Sequence, residues 1–155
     1  MTTLYVENIA PNLQSSVAIP GHVIQVVQST STTSFNTTST SFVAYTPVTT
    51  SITPSSTSNK ILIIANIPAY SIASTQCFAT VYRGTISGTN LGAALSGFGG
   101  SYNNSNNNIV VNYLDSPNTT SSQTYTVAVR SNNGNTVYMP DNNAVVTFTL
   151  MEIAG

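Results

Sequence analysis

The sequence predicts an all-β protein: an antiparallel β-sandwich, jelly-roll-like, preceded by a short extended N-terminal arm. Three observations predict it. Threonine, valine, isoleucine and tyrosine fill the ordered-looking segments, and these residues suit a pleated, half-buried surface. No stretch sets apolar residues at i, i+3, i+4 and i+7 among Ala, Leu, Glu or Lys fillers, so helix signals are almost absent. Short apolar runs recur between clusters of Gly, Pro, Asn and Ser, the spacing of a two-sheet sandwich or jelly roll.

Residues 1–21 read as an arm. Its sparse apolar residues (Leu4, Val6, Ile9, Leu13, Val17, Ile19) are too few to fold alone, and Pro20-Gly21 breaks any regular element before the head begins. The head, 22–155, opens with the strand "HVIQVVQ" (22–28). The hydroxyl-rich run "STSTTSFNTTSTSF" (29–42) lacks the interspersed proline of a mucin-like stalk, and threonine is a strand former. It is expected to be an ordered edge pinned by Phe35 and Phe42, loosest at 30–34 and 36–40.

"FVAYT" (42–46) and "TSIT" (50–53) read as two short strands. "KILIIANI" (60–67) reads as a central strand buried on both faces, because its apolar residues do not alternate. "CFATVYR" (77–83) and "NIVVNYL" (108–114) follow. "TYTVAVRS" (124–131) sets Tyr125, Val127 and Val129 against Thr124, Thr126, Ala128 and Arg130. Asn133-Gly134 is the favoured type I′ hairpin pair leading into "VYM" (137–139). "AVVTFTLMEI" (144–153) sets Val146, Phe148 and Leu150 against Thr147, Thr149 and Met151. Between these strands "GFGGSYNNSNNN" (97–108) is either a plain surface loop or a ligand-facing tip.

Composition narrows the function. A chain of 155 residues suits one domain with a real core. Charged residues make up 5%, against about 25% in ordinary domains. Disorder couples low hydrophobicity to high net charge, and a 41% hydrophobic chain of net charge −1 has neither. Three scattered cations, Lys60, Arg83 and Arg130, cannot form a nucleic-acid patch. So small a charge gives a free monomer little colloidal protection, which hints at an assembly. The N-terminus has neither the basic region nor the apolar core of a secretory signal. The longest apolar run, "ILIIA" (61–65), falls far short of the ~20 residues that span a bilayer, so no membrane insertion is expected. The lone Cys77 reads as a small buried hydrophobe.

No catalytic set emerges, and no cofactor or metal site is expected. General acid–base work needs paired carboxylates or a tuned histidine. Glu7, Asp115, Asp141 and Glu152 lie in no recognised motif, and Asp115 and Asp141 read as Asx-turn residues. His22 is the only histidine, and there is neither a G-x-S-x-G elbow nor a calcium-loop pattern. What remains is a surface of hydroxyls and amides interleaved with Tyr102, Tyr113 and Tyr138. Such residues supply adaptable uncharged contacts to sugars or to a protein shell, and they equally suit a merely solvated β-surface.

"LYVENIAPNLQSSVAIPGHVIQVVQ" resembles the start of small virion and tail-fibre-like modules of tailed phages, especially phages of marine and freshwater bacteria. "FNTTSTSFVAYT" with "SITPSSTSNKILIIANI" is similar to their early core strands, and "YLDSPNTTSSQTYTVAV" with "TFTLMEIAG" to their closing strands. The resemblance implies a β-head on a short arm, a homotrimer displayed on the virion surface after synthesis in the host cytoplasm. It implies contacts with other virion proteins (capsid, tail or baseplate) and with a host surface glycan. Leu4, Tyr5, Val6, Ile9, Val17 and Ile19 are the candidate anchoring residues. Phe98, Tyr102, Asn103, Asn104 and Asn106 are the candidate receptor-facing ones. A capsid decoration or cement protein and a free lectin-like module are the competing expectations.

Overall fold

The computed structural model describes residues 19–140 and 143–155. The strands are β1 (Val23–Ser31), β2 (Phe35–Thr37), β3 (Val43–Ile52), β4 (Lys60–Ser71), β5 (Gln76–Arg83) and β6 (Thr89–Asn90). They continue with β7 (Gly99–Tyr102), β8 (Asn106–Asp115), β9 (Gln123–Ser131), β10 (Val137–Met139) and β11 (Val146–Ile153). One sheet runs β1-β11-β4-β10-β2 with β8 on the other side of β4; the second runs β3-β9-β5-β6 with β7 also on β5. Among the principal strands, the first sheet therefore reads β1-β11-β4-β8 and the second β3-β9-β5-β7. Successive strands alternate between the sheets in pairs wrapped about one axis, which is jelly-roll topology.

The core lies where the alternating faces meet. Ile61, Ile63, Ala65 and Ile67 of β4 and Phe148 and Leu150 of β11 face Tyr45, Val81, Tyr125 and Val127 from the opposite sheet. Cys77 is fully buried here, and burial pushes its thiol up to about 12. Each fully buried Ile or Leu contributes roughly 1.5–3 kcal/mol.

Several expectations change. The segments 42–46 and 50–53 are one strand, β3, whose register shifts between Tyr45 and Thr50. Pro47 lies inside that irregularity, where a missing N–H costs no ladder bond. β4 is central, yet one-sided: Ile61, Ile63, Ala65 and Ile67 are buried, whereas Leu62 is half-buried and Ile64 exposed. The strand buried on both faces is β9, where Thr126, Ala128 and Arg130 are as enclosed as Val127 and Val129. Asn133-Gly134 makes no hairpin. Only Gly134 of the pair has positive φ, and β9 and β10 belong to different sheets, so the turn is a crossover.

The hydroxyl-rich stretch is ordered. It completes β1 and supplies β2, which pairs with β10. Residues 36 and 37, expected to be loose, are therefore in a strand. Phe35 meets the Tyr45 ring edge-on at 5.9 Å, and Phe42 meets Tyr82 at 6.3 Å. The Arg130 guanidinium sits between the Phe42 and Phe78 rings, 5.6 and 5.0 Å from their centroids. It donates to the carbonyls of Leu95 and Thr40. Loop 91–98 is thereby held over the outside of the second sheet, and Leu91 and Phe98 also donate N–H bonds to Val81 and Ala79 of β5.

Candidate functional site

The strand registers give the sandwich two distinct ends. At one, the turn Ile19–His22 leads into β1, and Gly21 N–H donates to the Ala154 carbonyl at 2.8 Å. The 53–59 loop and the end of β8 lie at this same end, because Lys60 pairs with Ile153 and Ile61 with Asp115. At the other end stand three turns: 72–75 between β4 and β5, 103–105 between β7 and β8, and 132–136 after β9.

Asparagine side chains tie those three turns together. Asn103 Oδ1 accepts the Ser74 N–H at 3.1 Å, and Asn103 N–H donates to the Thr75 carbonyl at 3.0 Å. Asn132 Oδ1 accepts the Gln76 N–H at 2.8 Å, while Asn133 Nδ2 donates to the Ser74 carbonyl at 2.8 Å. Asn135 Nδ2 reaches Thr75 Oγ1 at 3.2 Å, and the Tyr70 hydroxyl donates to Asn104 Oδ1. Asn103 and Asn104 both sit at positive φ, 58° and 59°, a region that asparagine tolerates better than most residues. The run "YNNS" therefore makes a tight turn for a backbone reason.

Of the residues expected to face a receptor, Tyr102, Asn103, Asn104 and Asn106 are exposed at this end, Tyr102 at 53%. Phe98 is elsewhere in role: half-buried, it packs on the core and meets Tyr113 at 5.7 Å. Tyr113 likewise points inward, so the tyrosines of the tip are Tyr102 with the pair Tyr70–Tyr138, whose rings are 5.9 Å apart. Tyr70 escaped sequence reasoning because the strand was expected to end at Ile67, whereas it runs on to Ser71. Its alternate, outward position from Ile67 and Ala69 is the signal that finds it.

These three turns are uncharged. None of them contains Asp, Glu, Lys or Arg, so they can offer phenol faces, amides and hydroxyls but neither acid nor base. This suits sugar rings, whose apolar faces stack on tyrosine while their hydroxyls bond to amides.

Of the anchoring set, Leu4, Tyr5, Val6, Ile9 and Val17 lie outside the described residues, and Ile19 is 51% exposed at the start of its turn.

Two carboxylates lie far from the three tip turns. Asp115 makes no Asx-turn; it is buried, paired with Arg83 Nη1 at 3.2 Å and accepting the Tyr125 hydroxyl at 2.7 Å. Burial first, and then that bond to a carboxylate, raise the Tyr125 phenol above its ordinary range. Asp141 lies outside the described residues. Glu152 is fully buried at the arm end, accepting from Ser55 N–H (2.6 Å), Ser55 Oγ (2.8 Å), Asn59 Nδ2 (2.6 Å) and Gln25 Nε2 (2.5 Å). Both carboxylates are structural ties enclosed by their partners. Among the described residues no three His, Cys, Asp or Glu side chains stand together as a metal site.

No family model matches this chain, and no curated protein matches its sequence. Solved structures do match in fold. The chain is similar to the infectious bursal disease virus VP2 subviral particle, at 14% identity over 96% of this chain and TM-score 0.54. It is similar also to the structure of the infectious bursal disease virus Gx strain, at 13% identity over 98% and TM-score 0.55. It spans 38% and 37% of those two chains, under two fifths of either. At such identities the likeness is one of fold: the protein is an antiparallel β-sandwich of the jelly-roll kind found in these viral structures.

Proposed function

We propose that the chain is a non-enzymatic structural protein of a virus particle, a short trimeric fibre or knob on a phage surface. Its arm, residues 1–21, joins it to capsid, tail or baseplate proteins, and its three-turn tip contacts a host surface glycan. The observation that carries this reading is the polarity of the jelly roll. Residues 19–22, which lead into β1, lie at one end, and the uncharged Tyr/Asn turns stand at the other. The fold-level likeness to viral structures and the phage-module resemblance support the same assignment.

Two measurements test it. Imaging or labelling intact particles is expected to find the chain on their surface; absence from particles overturns the virion role. Replacing Tyr102 and Asn104 by alanine is expected to weaken adsorption at least tenfold while leaving particle assembly unchanged. Normal adsorption by that variant refutes the tip assignment and favours the decoration reading, in which the protein's flank contacts the shell.

A further inference from the structure

We infer that the outer face of the β1-β11-β4-β8 sheet is covered by a second copy of this chain. This rests on the reading above that copies of the chain assemble; a face stacked on its own equivalent is a two-fold contact, so it joins copies of two trimers rather than the three copies of one.

The two sheets treat their outer faces differently. Outside the second sheet, the chain supplies its own cover: Phe42, Phe78, Arg130 and loop 91–98 lie over Thr80, Thr126 and Ala128, all of which are buried. The first sheet has no such cover among the described residues. Its registers place Val26 opposite Met151, Met151 opposite Leu62, and Leu62 opposite Leu114. An apolar row thus crosses all four strands. Ile64 and Val110 flank it toward the tip and Ile153 toward the arm end. Val26 is 55% exposed, Leu114 46% and Val110 60%. Toward the tip the outward rows turn mostly polar, with Gln28, Thr149 and Asn112 beside Ile64 and Thr30, Thr147 and Asn66 beside Val110, so the face has the apolar core and polar rim of an interface. The unbroken apolar run of β4 is then explained: the sequence codes for cover on both sides, and the described residues of one chain provide one.

Three features favour a copy of the same chain as the occupant. The face is flat, pleated and antiparallel, and such faces stack on one another about 10 Å apart. Among the described residues its only charged member is Lys60, at the margin, and the whole chain carries a net charge of −1, so copies meet with little repulsion. Four strands about 4.8 Å apart and about nine residues long give a face of roughly 600 Å². Two such surfaces bury roughly 1,200 Å², above the ~1,000 Å² expected of a specific interface.

The test is the solution mass of the full chain and of Val26→Lys and Val110→Lys, by sedimentation velocity across a concentration series. Both positions are more than half exposed in the single chain, and thermal melts confirm that the variants fold. The unaltered chain is expected to sediment as an oligomer, and each lysine to weaken association at least tenfold. Folded variants that stay at the parental mass overturn this interface while leaving the oligomer reading intact. A monomeric parent overturns both and leaves the face to residues 1–18 or to another virion protein.

Discussion

Glu152→Gln isolates what a buried, unneutralised carboxylate contributes. Three donors converge on Oε1 and one on Oε2, all of them uncharged. Burial by itself raises the acid's pKa, but the bonds from Asn59, Gln25 and Ser55 outweigh it and hold the group below its ordinary value near 4.5. Glutamine can keep its oxygen toward Ser55 and Asn59, but its amide then meets the Gln25 amide donor to donor. Losing one such bond and the charge assistance of the others costs about 1–3 kcal/mol. For a chain of this length each kcal/mol moves Tm by about 2–4 °C, so a fall of roughly 3–10 °C is expected at pH 7. The sign with pH follows from linkage. A folded pKa below the unfolded one gives stability that is present above about pH 4.5 and lost as pH falls through the lower, folded value. Thermal melts from pH 7 to pH 3 should therefore show the parent losing Tm faster than Glu152→Gln, with the gap closing. A variant that melts at or above the parent at pH 7, or declines in parallel with it, refutes the argument and shows that desolvation dominates.

Arg130→Lys keeps the charge but loses the fork that reaches Leu95 and Thr40, so about 2–3 kcal/mol of stability should go and proteolysis within 91–98 should accelerate. Gly97 sits at φ 56°, and a Cβ there meets the Ala79 carbonyl oxygen at 2.0 Å; Gly97→Ala should speed hydrogen exchange of loop 91–98 while the core of β4 stays protected. Cys77, with its thiol pushed up to about 12, should ignore thiol reagents at pH 8 in the native protein and react on unfolding, a contrast read by mass spectrometry.

Local pattern made much of the fold legible. The alternation of β11, the helix-free composition and the order of the Ser/Thr stretch all follow from side chains that repeat with a period of two. What escaped depends on contacts distant in sequence. Leu62 and Ile64 looked buried because a run of apolar residues says that both faces want cover without saying whose. β9 looked half polar because nothing near Arg130 announces that Phe42 and Phe78, from far along the chain, will enclose it. Asp115 looked like a turn residue because proline follows its neighbour Ser116. Yet it continues the inward set Ile109, Val111 and Tyr113, and that alternation was the available clue. The tip was half legible: Tyr102 and the asparagines were named, but Tyr70 joins them only through the pairing of β4 with β8.

The bond between Gly21 and Ala154 has a consequence for engineering. Backbones paired across a sheet are about 5 Å apart, so the chain enters and leaves the sandwich side by side. Residues 19–155 can be spliced into a surface loop of an unrelated carrier through two short peptides. The graft would seat itself by that doorway and point its asparagine turns outward. Conversely, joining the two ends and cutting between Asn133 and Asn135 gives a circular permutant whose new termini open at the tip, ready to present a guest peptide there.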